Sequence, residues 1–320
     1  MIINDFCEWI QKIPGLTKRQ RLECIARYQR QQDVPAAIAD VKPGCCPHCH
    51  HDKLWKWGHA SGLQRWRCQQ CHKTFNILTG TPLARLRKKD CWLDNAEAMI
   101  AGFSVRRTAR KCGVHRNTSF RWRHRFLRFQ QRAQFGNLSG IAECDTTYFN
   151  RSEKGSRNLK RKPRRRGGDG IKSHKYKVGV ITVRDRSGRG ADRVSLGSCQ
   201  RGPAKDLFLS HLRADTLLLT DGSHELCQAA DARDPNAHMA LPGLKSRGIK
   251  GCPYHIQTAN GFHAQLKIWM ARFHGVATRY LANYVAWHRH LVERNHNDDP
   301  NSFIQLSFNP LSINPQLTMT

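Results

Sequence analysis

The sequence predicts an α/β fold, a mixed sheet flanked by helices, preceded by a zinc ribbon and a helical DNA-binding segment. Three observations predict it: paired Cys-x-x-Cys motifs, a helix-turn-helix pattern near residue 110, and β-rich runs that alternate with helical ones from Gly140. A chain of 320 residues favours about two domains. Its 39% hydrophobic residues suffice for at least one sizeable core.

The chain is strongly basic, with 54 Lys+Arg against 24 Asp+Glu, a formal net charge of +30 and a pI near 10.3. Basic residues run through the whole sequence, which favours a nucleic acid as the partner over an ordinary solvated surface. An anionic membrane is the competing partner, but no stretch of about 18 apolar residues is present. The start, MIINDFCEWI, carries acids where a signal peptide has cations, so we expect a cytoplasmic protein.

Changes of composition along the chain predict five segments. Residues 1–40 have helical spacing interrupted by a Pro-Gly turn, and residues 41–82 change to Cys, His, Trp and Gly. Residues 83–135 return to the helical period, residues 136–295 read as the α/β domain, and residues 296–320 form a tail without a readable signal.

The second segment carries the pattern CPHC, eighteen residues, then CQQC. Two close cysteine pairs are what two tight knuckles need to present four thiolates around one structural zinc ion. The predicted zinc ligands are Cys46, Cys49, Cys68 and Cys71. Four free thiols are the plain alternative, and Cys45, His48 or His50 could replace one ligand. The odd total of thirteen cysteines favours a reducing compartment without disulfides.

The stretch SVRRTARKCGVHRNTSFRWRHRFLRF predicts a helix-turn-helix, with a first helix from about Val105 to Cys112, a turn at Gly113 and a second helix opening near Asn117. An ordinary pair of basic amphipathic helices is the alternative. The side chains predicted to face outward and contact DNA are Arg116, Asn117, Ser119, Arg121 and Arg123.

Two aspartates are the candidates for a catalytic metal site. Asp145 lies in the strand-like run GIAECDTTYF, and Asp221 ends the apolar run TLLLTD. Between them come two more strand-like runs joined by a turn and then a helical segment, which is the order of the ribonuclease H-like fold. In that fold the first strand and the later buried strand lie side by side, so their aspartates share two metal ions. Strand-terminal turn residues are the alternative reading.

The whole chain resembles bacterial insertion-sequence transposases that join a zinc ribbon and a helix-turn-helix to a DDE-type ribonuclease H-like core. The motifs that carry the resemblance are CPHC with RWRCQQCHKTFNILTGTPL, ECDTTYF, LKRKPRRRGG, LLLTDG and HIQTANGFHAQLKIWMARFHGVATRYLANYVAWHR. In one branch of these transposases the third catalytic position is asparagine, followed seven residues later by lysine, which matches Asn260 and Lys267. The resemblance implies cut-and-join chemistry at the ends of a mobile element, with Mg²⁺ or Mn²⁺ and a homo-oligomer on DNA.

A seven-residue step is almost two helical turns, so Asn260 and Lys267 are expected on one helix face, where the lysine can hold a phosphate. We therefore expect Asp145, Asp221 and Asn260 to bind Mg²⁺, the third through a neutral amide oxygen. Glu293 is the alternative third ligand, and a helix N-cap is the alternative reading of Asn260.

The expected mechanism is two-metal phosphoryl transfer, in which one ion activates water or a 3′-hydroxyl and the other stabilises the leaving oxygen. A tyrosine nucleophile, Tyr148 or Tyr254, is the covalent alternative. The basic run at residues 157–168 favours DNA contact over a plain solvated loop. Its predicted phosphate contacts are Lys160, Arg161, Lys162, Arg164, Arg165 and Arg166.

Two other functions compete with the transposase. The first is a non-enzymatic regulator that binds an operator through the ribbon and the helix-turn-helix, which leaves the α/β half without a purpose. The second is a nuclease of the same core that cuts DNA without joining the new end to a target. Metal-dependent nicking separates the transposase from the regulator, and strand transfer separates it from the nuclease.

Overall fold

The structure, a computed structural model, describes residues 13–22, 24–25, 38, 41–130, 134, 136–159, 177–197, 200–243, 252–294 and 298–308. The chain divides into two compact units, Met1–Ser119 with Asp299–Phe308, and Phe120–Asp298 with Asn309–Thr320. Most of the helical lead-in predicted for residues 1–40, and the predicted phosphate contacts from Lys160 to Arg166, lie outside the described residues.

The first unit holds a small sheet and a group of helices. Its antiparallel sheet, in the order β1-β2-β3, consists of β1 (Leu54–Ala60), β2 (Leu63–Cys68) and β3 (Thr74–Asn76). The helices that follow are α1 (Trp92–Ile100), α2 (Val105–Lys111) and the beginning of α3 (Arg116–Gln130).

The tail, whose sequence carries no readable signal, contains a helix. Residues Pro300–Phe308 form helix α8, which packs against α1 and buries Phe303 and Ile304. Ser302 N–H donates to Asp299 Oδ2 at 2.9 Å, so Asp299 caps the start of this helix.

The second unit is a mixed α/β domain. Its strands are β4 (Ile141–Asn150), β5 (Lys177–Asp185), β6 (Gly190–Leu196), β7 (Leu217–Thr220) and β8 (His238–Ala240). Its helices, after the remainder of α3, are α4 (Arg201–His211), α5 (His224–Asp231), α6 (Gln257–Ala271) and α7 (Thr278–Glu293).

The five strands form one sheet in the order β6-β5-β4-β7-β8. Strands β4, β5 and β6 are an antiparallel meander, whereas β7 pairs in parallel with β4, and β8 pairs in parallel with β7. The prediction that the first strand and the later buried strand lie side by side is therefore confirmed.

Helices cover both faces of this sheet. Ala142 and Cys144 point into a core shared with Leu207 and Phe208 of α4 and with α5. On the opposite face, Leu219 packs with Ile256 at the start of α6. Within the described part of the chain, no helix is long and apolar enough to cross a membrane.

Candidate active site and nucleic-acid-binding residues

Two parallel strands present the predicted aspartates at the same level of the sheet. The last register pair between β4 and β7 is Cys144 with Thr220. Asp145 is the next residue on β4, and Asp221 is the first residue after β7. Because side chains alternate along a strand, Asp145 shares a face with Glu143. Glu143 is the register partner of Leu219. Asp145 lies within β4 and Asp221 directly after β7, so the two aspartates occupy neighbouring positions on adjacent parallel strands.

The turn after Asp221 depends on Gly222. This glycine has φ +83°, and a Cβ added there would lie 3.1 Å from Cβ of Pro242. A side chain would therefore be strained by the backbone conformation and crowded by its neighbour. Ser223 N–H donates to Asp221 Oδ1 at 3.0 Å, and α5 begins at the next residue. The turn thus fixes one oxygen of the Asp221 carboxylate.

A buried carboxylate on β4 holds the start of helix α6. Glu143 is fully buried and accepts hydrogen bonds from Thr258 N–H at 2.6 Å, Thr258 Oγ1 at 2.8 Å and Ala259 N–H at 3.1 Å. Arg186 lies 2.8 Å from the same carboxylate. The first N–H groups of a helix have no partner within it, so Glu143 supplies a cap from another element. It fixes the helix that carries Asn260 against the strand that carries Asp145.

Replacing Glu143 by alanine is expected to destabilise the second unit, because buried helix N–H groups and Arg186 lose their acceptor. Loss of one partner of a buried charge pair costs roughly 3 kcal/mol or more. In a unit of this size that loss lowers the melting temperature by about 6–12 °C. Thermal unfolding followed by circular dichroism measures the effect.

Asp215→Ala is the matched control, because Asp215 is 63% exposed and pairs with Arg213 in a surface salt bridge of the same unit. Its loss is expected to cost less than about 1 kcal/mol. Equal destabilisation by the two substitutions would contradict the capping function of Glu143.

A second contact joins α6 to the predicted site. His263 is almost fully buried, and its Nδ1 lies 3.1 Å from Oδ2 of Asp145. An ionised carboxylate only accepts, so Nδ1 of His263 is the donor. Nε2 of His263 is buried and has no hydrogen-bond partner among the described residues. Thr146 N–H donates to Oδ1 of Asp145 at 2.7 Å. Both oxygens of Asp145 are therefore oriented.

These contacts determine the charge of Asp145. Burial by itself would raise the pKa of Asp145, but the hydrogen bond and charge of His263, the N–H of Thr146 and the charge of Lys267 lower it below the ordinary value of 3.8. Asp145 is therefore ionised at neutral pH. The effect of Lys267 also shows that this lysine, one turn beyond His263 on α6, acts on the same carboxylate.

Substituting His263 by phenylalanine is expected to reduce metal-dependent turnover by about 10–100-fold, the usual effect of removing a group that orients a metal ligand. Phenylalanine keeps the ring but removes the donor, so folding and DNA binding are expected to persist. His263→Asn, which places an amide N–H near the Nδ1 position, is expected to restore part of the rate. DNA cleavage as a function of Mg²⁺ concentration measures both variants. Equal rates for His263→Phe and His263→Asn would contradict a donor function.

The third predicted ligand lies on the same helix face as His263. Asn260 precedes His263 by three residues and Lys267 follows it by four, so the three positions are neighbours along α6. Asn260 is partly exposed and Lys267 is exposed, which leaves both side chains accessible at the surface. Asn260 lies in the first turn of α6, directly after the residues that Glu143 holds.

Glu293, the alternative third ligand, is engaged elsewhere. It lies at the end of α7, where its carboxylate is 2.9 Å from Nη1 of Arg184 and accepts from Gly190 N–H at 3.1 Å. Burial raises the pKa of Glu293 to about 7, although Arg289 and Arg184 oppose the shift. The carboxylate of Glu293 is therefore buried and already paired.

The tyrosine alternatives receive no support from the geometry. Burial and the charges of Glu225, Asp221 and Asp145 raise the pKa of Tyr148, which disfavours the phenolate that a nucleophile needs. The same effect shows that negative charge is concentrated around Tyr148. Tyr254 is 36% exposed and precedes α6.

The four predicted zinc ligands are brought together. Their sulfur atoms lie within 4.8 Å of one another. Among the described residues, these four cysteines form a cluster that is close enough to hold a metal ion. The Sγ atoms of Cys46 and Cys71 are 3.6 Å apart, and those of Cys49 and Cys68 are 3.5 Å apart. Zinc–sulfur bonds of about 2.3 Å in a tetrahedron separate the sulfurs by about 3.8 Å, so the cluster fits zinc.

Two equivalent turns build this cluster. In the first, Cys46 N–H donates to His51 O and His50 N–H donates to Cys46 O; in the second, Cys68 N–H donates to Lys73 O and His72 N–H donates to Cys68 O. The histidine of each turn has positive φ, 61° for His50 and 54° for His72. These histidines shape the turns, and Cys45 is exposed outside the cluster.

The helix-turn-helix pattern predicts the two helices within a few residues, but two of its outward-facing side chains are buried. Ser119 is 1% exposed and its hydroxyl donates to Val105 O at 3.2 Å. Arg123 is 1% exposed and its guanidinium lies 4.7 Å from the ring centre of Trp287 on α7. The prediction that these two side chains face DNA is therefore wrong. The side chains that remain exposed are Arg116, Asn117 and Arg121.

Comparison with known proteins bears on the same region. Residues 137–288 match the model of the ISXO2-like transposase domain, and this range includes Asp145, Asp221, Asn260 and Lys267. The chain is also 25% identical over 249 residues to an uncharacterized protein in transposable element ISH50 of Halobacterium salinarum (strain ATCC 700922 / JCM 11081 / NRC-1). That similarity covers 75% of this chain and 82% of the relative.

Proposed function

We propose that the protein, whose residues 137–288 match the model of the ISXO2-like transposase domain, is a transposase that cuts DNA at the ends of its insertion sequence and joins the 3′ ends to target DNA. One observation carries the proposal: Asp145 and Asp221 follow a register pair, Cys144 with Thr220, on adjacent parallel strands of a five-stranded mixed sheet, and Asp145 shares a sheet face with Glu143. Helix α6 packs on that face through Glu143 and His263. This architecture fits a ribonuclease H-like core.

The residues at this edge of the sheet fit divalent magnesium or manganese. Carboxylate oxygens are the ligands that hard cations prefer, and Asn260 adds an amide oxygen on the same helix face as His263. The raised pKa of Tyr148, caused by burial and by Glu225, Asp221 and Asp145, reflects negative charge that cations would neutralise. When bound, a pair of such ions supplies activation of the attacking hydroxyl and stabilisation of the leaving oxygen.

In this proposal each side chain has a separate task. Asp145, Asp221 and Asn260 hold the metal ions, and His263 keeps the Asp145 carboxylate in one orientation. Lys267 neutralises charge near Asp145 and receives a DNA phosphate. Zinc in the four-cysteine cluster is structural, because four protein ligands leave no open position.

DNA contacts are proposed for both units. In the first, Arg116 and Asn117 at the exposed start of α3 reach phosphates or base edges; in the second, Arg121 does so. The basic run that includes Lys160 and Arg164, outside the described residues, is proposed to bind DNA phosphates. The segment boundaries predicted from the sequence, a cytoplasmic location and a homo-oligomer that pairs two element ends complete the proposal.

Metal-dependent nicking tests the enzymatic part of this proposal. Purified protein is incubated with a labelled duplex that carries the element's own ends, with and without Mg²⁺, beside Asn260→Ala and Glu293→Gln. Nicking at the element end that is lost in Asn260→Ala and retained in Glu293→Gln is expected. Nicking that is lost in Glu293→Gln and retained in Asn260→Ala would identify Glu293 as the third metal ligand. Specific DNA binding without nicking would favour a non-enzymatic regulator.

A further inference from the structure

Two exposed tryptophans stand on the ribbon sheet of the first unit. Trp55 and Trp57, both on β1, are 49% and 45% exposed. Large aromatic side chains are seldom left half in water without a partner, because their burial contributes strongly to packing. Their exposure on a small metal-stabilised sheet therefore indicates a contact surface.

The register of the sheet shows what shares their face. Trp55 is opposite Arg67, and Arg67 is opposite Thr74 on β3. The guanidinium of Arg67 lies 4.6 Å from the ring centre of Trp57, which places Trp57 on the same face. Arg65, two residues before Arg67, also belongs to it.

The opposite face is occupied by the metal cluster. Lys56 is opposite Trp66, and Trp66 is opposite Phe75. Phe75 is buried against Cys46 and Cys68, and Trp66 packs against the same cluster. The tryptophans of β1 thus play no part in the core of the ribbon.

A basic cavity lies in the same unit. It has a volume of about 520 Å³, and Asn76 of β3, the register partner of Arg65, lines it. Its basic lining residues are Arg85, Arg87, Lys88 and Lys89. A cationic groove beside exposed aromatic rings is the combination that binds single-stranded nucleic acid, since rings stack on bases while cations follow the phosphates.

We propose that Trp55, Trp57 and Arg67 form a stacking surface for unpaired bases of single-stranded DNA, whose phosphates enter the cavity lined by Arg85, Arg87 and Lys88. The inference rests on the proposed function in taking DNA as the polyanion. Unpaired nucleotides arise where a cut element end frays, and this surface holds them. Duplex DNA offers no free base faces to the tryptophans, so the surface discriminates between the two forms.

Fluorescence anisotropy of a labelled single strand of about 12 nucleotides, compared with a hairpin duplex of the same length, tests this surface. No divalent metal is added. The double variant Trp55→Ala/Trp57→Ala is expected to lose single-strand affinity by about tenfold or more, because both rings on which bases stack are removed. Duplex affinity is expected to change less than about threefold, since phosphate contacts supply most of it.

Matched variants separate stacking from folding. Trp55→Phe/Trp57→Phe keeps aromatic rings and is expected to retain most single-strand binding. Leu209→Ala removes another exposed apolar side chain, 58% exposed on α4, and is expected to change nothing. Zinc content of each variant reports whether the ribbon is intact.

Unchanged single-strand affinity in the alanine pair, or an equal loss for single strand and duplex, would overturn the inference. Concentration-dependent association of the unmodified protein that the alanine pair abolishes, with DNA affinity unaltered, would assign the surface to a second copy of the chain and would also overturn it. The assay needs no metal and no cleavage, so its result does not depend on the aspartate site. Failure here is therefore distinguishable from failure of the proposed function.

Discussion

Asp145→Asn is expected to reduce Mg²⁺-dependent cleavage of element-end DNA by roughly a thousandfold or more, because losing a metal ligand removes several kcal/mol of transition-state stabilisation at 1.36 kcal/mol per tenfold. Asparagine has the shape of aspartate but a single acceptor oxygen, so it keeps the contact with one of the two donors, Thr146 N–H and His263 Nδ1–H. Cleavage under single-turnover conditions, together with DNA binding, measures the loss. Binding is expected to be unaffected.

Asp206→Asn is the matched control, because Asp206 is exposed on α4. It is expected to cleave at the rate of the unmodified protein. A cleavage rate in Asp145→Asn within about tenfold of that control would rule out Asp145 as a metal ligand.

The lowered pKa of Asp145 adds a pH signature to the same variant. The folded-state pKa lies below the ordinary value of 3.8, so ionised Asp145 stabilises the fold above about pH 4. This contribution is lost as the pH falls through the folded-state pKa. The difference in unfolding free energy between the unmodified protein and Asp145→Asn is therefore expected to shrink on acidification. Chemical unfolding of both proteins at a series of pH values measures this difference. A difference that grows on acidification would contradict the sign of the shift.

Removal of zinc is expected to unfold the ribbon, residues 41–82. Its core consists of the four cysteines with Phe75, Leu54 and Trp66, so little apolar packing remains without the metal. In zinc-finger peptides the bound metal supplies about 10–16 kcal/mol of apparent free energy, and that binding energy is folding energy. Cys68→Ser is expected to lose the zinc, with one equivalent bound per unmodified chain. Metal analysis and limited proteolysis of the ribbon measure the two effects.

Cys45→Ser is the control, since this exposed thiol adjoins Cys46 but lies outside the cluster. It is expected to retain zinc and resistance to protease. An intact, protease-resistant ribbon in metal-free Cys68→Ser would contradict a structural zinc ion.

Local sequence patterns predicted the features that depend on residues close together in the sequence. The spacing of four cysteines indicated the cluster, and apolar runs indicated β4, β5 and β7 and, through their order, the pairing that places Asp145 beside Asp221. Helical periodicity placed α2 and the start of α3 within a few residues. The periodicity did not show which side chains of α3 are buried. Ser119 and Arg123 are buried by contacts with residues distant in the sequence, Val105 and Trp287.

Contacts between distant segments were missed. Glu143 and Thr258 are 115 residues apart, and His263 and Asp145 are 118 residues apart, so no local pattern joins them. Partial signals exist: Glu143 shares a strand face with Asp145, and His263 lies one turn after Asn260. Helix α8 escaped notice because its short apolar set, Phe303 to Phe308, is flanked by Asn and Pro.

Strand transfer is the measurement that tests the transposase directly. A labelled duplex of the element end with a pre-cut 3′-hydroxyl is incubated with a supercoiled plasmid and Mg²⁺, beside Asp221→Ala. Covalent joining of the label to the plasmid by the unmodified protein, and its loss in Asp221→Ala, is the expected result. Cleavage of the end without joining would identify a nuclease, and joining that persists in Asp221→Ala would contradict the aspartate site.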